Sequence, residues 1–206
     1  VLIDLKHRDE VLESSLEIIN DYEVKGMRRS KSWATDQTVF FYLKFEKPIK
    51  DYGIALNDEL QKGIKSANGK NIKSYFSFDL PADKKIHVKI GISGVSMENA
   101  KLNLDTEIPG WDFAQLKLNA ENAWNQELGK IEVKGGSSDQ QTVFYTALYH
   151  ASLAPNIYTD VNGEYRGTDL KVHQAKDFTN YSVFSLWDTH RALHPLMTII
   201  NRKRTT

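Results

Sequence analysis

There is no cysteine among the 206 residues of this chain. That removes disulfides, thiolate nucleophiles and cysteine-type zinc sites together. It leaves the compartment open, because many exported bacterial proteins also lack cysteine. Neither sign of charge is in surplus: Lys+Arg and Asp+Glu both number 27, for a net charge of zero. Proteins that bind polyanions usually carry a basic excess, so nucleic acid is not an expected partner. No apolar run reaches the roughly 18 residues that cross a bilayer, so no membrane span is expected. The opening VLIDLKHRDEV is charged by its fourth residue and lacks the basic start of a signal peptide. P-loop, G-x-S-x-G and G-x-G-x-x-G patterns are all missing, which argues against nucleotide chemistry and serine-type hydrolysis.

What is present is ordinary globular material, 40% hydrophobic and 26% charged, enough for one large or two modest domains. The first hundred residues predict strands. Val39, Phe41, Leu43 and Phe45 alternate with Phe40, Tyr42 and Lys44, the period of a sheet. Ile86, Val88, Ile90 and Ile92 alternate with His87, Lys89, Gly91 and Ser93, which predicts a strand buried on its isoleucine face. Phe76, Phe78 and Leu80 share a face after an Asn68-Gly69 turn signal. Leu16 to Ile19 and Glu23 to Arg28 are shorter candidates. Many strands without long intervening helices favour an antiparallel sandwich.

The pattern changes near residue 96. Ser96 is placed to cap a helix running to about Thr106. Asp112, with Gln115 three positions on, predicts a capped helix with Phe113, Leu116, Ala120, Ala123, Trp124 and Leu128 on its apolar stripe. Ile131 to Val133 reads as a short strand. Ser138 with Gln141 predicts a second capping box and a helix ending at Pro155. Ile157 to Val161 and Glu164 to Gly167 flank Asn162-Gly163 as a hairpin. A last helix carries the polar run, with a kink or break at His194-Pro195. Both ends read as cuts in a longer polypeptide, starting inside a strand and stopping after a few helices.

The densest chemistry lies in Asn180 to Ile200, where Trp187, Asp188, Arg191, His190 and His194 crowd into an apolar frame. On a helix, Asp188 and Arg191 lie three apart on one face, able to pair or to bind a polar ligand jointly. Trp187 offers an aromatic face for the C–H surface of a sugar, or fills a core. Arg166, in Tyr165-Arg166-Gly167-Thr168-Asp169, suits a carboxylate or a hydroxyl pair, or anchors its loop. His150, His173, His190 and His194 include one i, i+4 pair but no H-E-x-x-H, so no metal site is expected from them. Lys6-His7-Arg8-Asp9 and Arg28-Arg29-Ser30 read as solvated loop charge. Asn180-Tyr181-Ser182 fits the N-glycosylation pattern.

Five blocks resemble glycoside hydrolase family 92: HRDEVLESS, GMRRSKSWATDQTVFF, SMENAKLNLDTEIPGWDF, ALYHASLAPNIYTDVNGEYRGTD and FTNYSVFSLWDTHRALHPLMTII. They stand in the family's order and span nearly the whole chain. That family comprises calcium-dependent exo-acting α-mannosidases, abundant in gut Bacteroidetes. The resemblance implies a multidomain β + α fold. An incomplete antiparallel β-sandwich would occupy 1–111, a helical linker 112–136, and the first helices of a truncated (α/α)6 catalytic barrel 137–206. It implies inverting hydrolysis of terminal mannose, α-1,2-linked, from mannose-rich glycans. The catalytic acid, the base and the calcium ligands are expected beyond Thr206. It further implies that Asp188 holds mannose hydroxyls, with Trp187, Arg191 and Arg166 as neighbouring substrate contacts. A periplasmic, cell-surface or secreted location follows from the same resemblance. Two departures stand out: His190 replaces the aromatic of W-D-T-[FY]-R, and Asn201-Arg202-Lys203-Arg204 stands where the family has a proline. Alternatives are a non-catalytic sugar-binding or structural fragment, or another glycosidase or phosphorylase of sandwich-plus-barrel build.

Overall fold

The computed structural model describes every residue except Pro81, Asp83, Phe184 and Thr206. Phe184 belongs to the polar run, so that one position lies outside the described residues. The chain forms two compact units, Val1–Trp111 with Thr159–Phe178, and Asp112–Tyr158 with Thr179–Thr206.

Unit 1 contains β1 (Leu2–Asp4), β2 (Glu10–Asn20), β3 (Glu23–Lys31), β4 (Gln37–Phe45), β5 (Asp51–Leu56), β6 (Glu59–Gln61), β7 (Ser66–Gly69), β8 (Ile72–Ser77) and β9 (Val88–Ser93). A five-stranded sheet runs β7-β2-β3-β4-β9 and a four-stranded sheet runs β1-β8-β5-β6. All their pairings are antiparallel. Leu16, Ile18, Val24, Phe41, Leu43 and Phe45 from the first sheet meet Ile54, Ile72 and Phe76 from the second in one core. Burying such side chains stabilises by about 1.5–3 kcal/mol each, which makes this layer the foundation of unit 1.

β2 and β3 are longer than their sequence suggests. β2 shifts register between Val11 and Glu13 and again between Ile18 and Asn20. Such bulges break the period of two that reveals a strand. Asn68 and Gly69 lie inside β7, paired with Ser15 and Ser14, rather than in a turn.

The outer face of β4 and β9 is covered by α1 (Met97–Glu107), which Ser96 caps by accepting from the Asn99 amide. Tyr42 packs there with Ala100 and Leu104. The sheet is therefore buried on both faces at β4. On β9 the expected face is reversed: Ile90 and Ile92 are 56% and 63% exposed, while Lys89, Gly91 and Ser93 are buried. The isoleucines do point to the inner side, opposite Leu43 and Phe41. β9 is the last strand of its sheet, however, and the core does not extend to them. The helix instead buries the polar side. Gly91 permits this, since a Cβ there would sit 2.1 Å from the Ala100 carbonyl oxygen.

Unit 1 also holds the ribbon of β10 (Glu164–Arg166) and β11 (Val172–Gln174), paired antiparallel. This corrects the predicted hairpin. Asn162-Gly163 does turn, with the Gly163 amide donating to the Asp160 carbonyl and Gly163 at φ 86°. The partner of β10 nevertheless comes after it, because Asp160 and the Val161 amide are held by groups of α1.

Unit 2 contains α2 (Phe113–Leu128), α3 (Ser138–Ser152), α4 (Leu186–Thr189), α5 (Leu193–Ile200) and α6 (Arg202–Thr205). Asp112 caps α2 as expected. The box on α3 is one residue earlier than predicted, formed by Ser137 and Gln140. Trp124 of α2 meets Tyr149 of α3 with ring centroids 4.6 Å apart. Ile131 to Val133 is no strand; Tyr145 Oη ties it down, donating to the Ile131 carbonyl and accepting from the Val133 amide. Phe113, Leu118 and Val143 remain exposed.

Candidate functional site

The polar run does not form one helix. Trp187 and Asp188 lie on the single turn α4, Arg191 follows its C-cap His190, and α5 starts at Leu193. Pro195 occupies the first turn of α5, where its missing amide costs little, so the break comes before His194-Pro195 rather than at it. The turn is held locally. The Asp188 amide donates to the Ser185 carbonyl, and Thr189 Oγ1 donates to the same oxygen at 3.0 Å. His190 Nδ1 lies 3.0 Å from the Trp187 carbonyl, and His194 Nε2 lies 2.9 Å from the Thr189 hydroxyl. His190 thus clasps the backbone of its own turn.

These bonds leave the side chains of Trp187, Asp188 and Arg191 outward. Trp187 is 87% exposed, and Asp188 and Arg191 are exposed too. Asp188 and Arg191 do not form an ion pair among the described residues, because the helix ends between them. An unpaired carboxylate beside an exposed indole can accept hydrogen bonds from hydroxyls while the ring covers an apolar face.

Arg166 belongs to unit 1. Its Nε donates to the Gly94 carbonyl and its Nη1 to the Leu170 carbonyl, both at 2.7 Å. It therefore anchors its own ribbon. Its positive charge also reaches Asp36, whose carboxyl is held below the usual range chiefly by its hydrogen bond to Arg29. Arg29 grips Asp36 with Nε and Nη2, at 2.8 and 2.5 Å. Arg28 is no solvated loop charge: its Nη2 donates to the carbonyls of His7 and Asp9. Between β3 and β4, Trp33 is 91% exposed. Sequence reasoning passed over it, although a tryptophan inside the polar loop SKSWATDQ was the available signal.

Among the described residues, no three His, Asp or Glu side chains gather where they could hold a metal ion. The histidines are used singly, His173 at 2.9 Å from Asp169 and His190 on a carbonyl. The residues present do not fit calcium, whose sites need six to eight oxygens. No helix among the described residues is long and apolar enough to cross a membrane.

Comparison with known proteins extends this picture. The N-terminal domain model of glycosyl hydrolase family 92 matches residues 1–93, and the family's catalytic domain model matches 99–206. The chain is similar to the solved GH92 α-mannosidase BT3965 of Bacteroides thetaiotaomicron, at 36% identity and TM-score 0.87 over 95% of its length. It is also similar to the GH92 inverting mannosidase BT2199 of Bacteroides thetaiotaomicron VPI-5482, at 28% identity and TM-score 0.85 over 96%. It covers 27% of each of those chains. A secreted glycosidase of Arthroderma benhamiae, itself uncharacterised, is 30% identical over 69% of this chain and 19% of its own length. The two domain matches meet where the sandwich gives way to α1, and together they assign the chain: it belongs to glycosyl hydrolase family 92, with that family's N-terminal β domain followed by the start of its helical barrel.

Proposed function

We propose that this chain is part of an exo-acting, inverting α-mannosidase that removes α-1,2-linked terminal mannose from mannose-rich glycans. Residues 1–111 supply the sandwich, 112–136 a helical linker and 137–206 the beginning of the barrel, with Thr159–Phe178 of that last stretch packed in the same compact unit as the sandwich. The observation that carries the reading is the pair of family matches over both parts of the chain, with α-mannosidases among the similar structures. The exposed Trp187 and the unpaired Asp188 support it with suitable chemistry.

In this reading Asp188 accepts hydrogen bonds from two hydroxyls of the terminal mannose, and Trp187 covers the sugar's apolar face. Arg191 and Arg166 stand as further polar contacts. Inversion requires one carboxylic acid to protonate the leaving oxygen and one carboxylate to activate water on the opposite face. Those two groups and the calcium ligands are assigned to polypeptide outside these 206 residues. Glycan access fits a periplasmic, cell-surface or secreted enzyme, as the name of the Arthroderma relative does for that protein.

Hydrogen bonds to a charged group contribute about 1.5–3 kcal/mol each. Asp188→Ala in the polypeptide carrying the complete catalytic domain should therefore lower kcat/KM on an α-1,2-mannobiose by roughly 10²-fold or more. An unchanged kcat/KM would refute the role of Asp188. The 206-residue chain alone should release no mannose, and calcium-dependent release by it would overturn the assignment of the catalytic carboxylates elsewhere.

A further inference from the structure

Among the described residues, Asp160 is the buried carboxylate, and the proposed reaction does not use it. It is 7% exposed, and its partners are all neutral. Oδ2 accepts from Ser93 Oγ at 2.6 Å and from Asn99 Nδ2 at 2.8 Å. Oδ1 accepts from Asn103 Nδ2 at 2.7 Å. The donors are themselves aimed. Ser93 Oγ accepts from the Val95 and Ser96 amides, which leaves its proton for Asp160. Asn99 and Asn103 lie four apart on α1, on one face of the helix. Asn103 Nδ2 also donates to the Ile92 carbonyl, and its Oδ1 accepts from the Val161 amide. The end of β9 and the face of α1 together form a seat for one carboxylate.

That seat adjoins the anchor of Arg166. Ser93 holds Asp160, and the next residue, Gly94, accepts from Arg166 Nε. The Asp160 amide donates to the Glu164 carbonyl, and Asn99 Nδ2 reaches Glu164 Oε2 at 2.8 Å. The contacts from Ser93, Gly94 and Asn99 join the 159–178 segment to the sandwich side of unit 1, and the Asp160–Glu164 bond closes the segment on itself. A fully paired buried polar network specifies one arrangement, since any slip strands several groups without water.

We propose that Asp160 is a positioning residue: seated on Ser93, Asn99 and Asn103, it fixes residues 159–178 on the sandwich and thereby sets where Arg166 presents its guanidinium. The kinetic arm rests on the reading of Arg166 as a substrate contact; the docking role does not. Asp160→Asn keeps the shape but turns one acceptor into a donor facing Asn99 and Ser93, or Asn103.

Hydrogen exchange on the 206-residue chain is the first test. Asp160→Ala should speed amide exchange across 159–178 by about tenfold or more, with β2, β3 and β5 unchanged. Asp160→Asn should fall between it and the parent, and Ser93→Ala should do the same by removing one donor. Unchanged exchange across 159–178 overturns the docking role, and so does equal acceleration throughout unit 1. The second test is a double-mutant cycle in the complete enzyme on an α-mannobiose. Asp160→Ala and Arg166→Ala should each lower kcat/KM, and the double variant should be no worse than the worse single. Additive losses overturn the link to Arg166. If Arg166→Ala alone leaves kcat/KM intact, the reading of Arg166 as a substrate contact fails, and the exchange result still decides the docking role.

Discussion

Gly91 shows how one residue decides a packing arrangement. Its missing side chain lets α1 lie against β9, with the Leu104 Cβ 2.7 Å and the Ala100 carbonyl oxygen 2.1 Å from where a Cβ would stand. The nearest obstacle is backbone, which cannot swing aside as a flexible side chain would. Gly91→Ala should therefore destabilise unit 1 by about 1–3 kcal/mol, the usual cost of overpacking. The shift would be read as a lower denaturant midpoint in urea unfolding; an unchanged midpoint would mean that the helix yields freely. Beside it, Lys89 shows why burial could not be read from residue type. Its ammonium donates to the carbonyls of Ile108 and Gly110, and lies 4.3 Å from the Trp111 ring centroid. A cation at a helix C-terminus satisfies carbonyls that the helix leaves open. Burial lowers its pKa, with Lys44 adding to the effect. Ile92 is the converse case. Ile92→Ser should change stability by no more than about 0.5 kcal/mol, as at an ordinary surface position, whereas Leu43→Ser on the adjacent strand should cost several times more.

At the scale of elements, α1 is held by charge as well as by Leu104. Asp105 meets Lys44 of β4 and Lys101 of its own helix, both at 2.5 Å. Partial burial raises the Asp105 pKa, but the two lysines outweigh it and leave the carboxyl below its ordinary value. A carboxylate with a depressed folded pKa contributes stability above its unfolded value, near 3.9, and loses it as pH falls through the folded value. The melting temperature should thus fall more steeply below about pH 4 in the parent than in Asp105→Asn. Parallel pH profiles would show that the lysines act without net effect. Tyr42, beneath the helix, has its phenol pushed up to about 12, mostly by burial and then by Glu23.

Much of this was legible in the sequence. The alternation from Val39 to Phe45 located β4 and its core face, and Ser96 and Asp112 marked two helix starts. These are local signals, in which capping chemistry or side-chain period lies within a few residues. Two of the misreadings share a non-local cause. The isoleucines of β9 look like a core face, and no local rule reports that the opposing sheet stops short of them. Asn162-Gly163 makes its turn, yet the identity of the paired strand depends on Asp160 engaging α1 about sixty residues back in the chain. In the candidate site, the chemistry of Trp187 and Asp188 was legible as residue types. The one-turn geometry that separates them from Arg191 was not, because Thr189 and His190 hold the turn by side-chain bonds to the Ser185 and Trp187 carbonyls.

At the scale of the molecule, unit 1 is assembled from two stretches of chain, Val1–Trp111 and Thr159–Phe178. The donors Ser93, Asn99 and Asn103 precede their acceptor Asp160 by 67, 61 and 57 residues. Synthesis at about 5–20 residues per second makes that gap roughly three to thirteen seconds. For that interval the carboxylate to which Ser93, Asn99 and Asn103 donate does not yet exist. The last buried group of unit 1 arrives after two helices of unit 2 have already been made, so unit 1 cannot close until part of unit 2 exists.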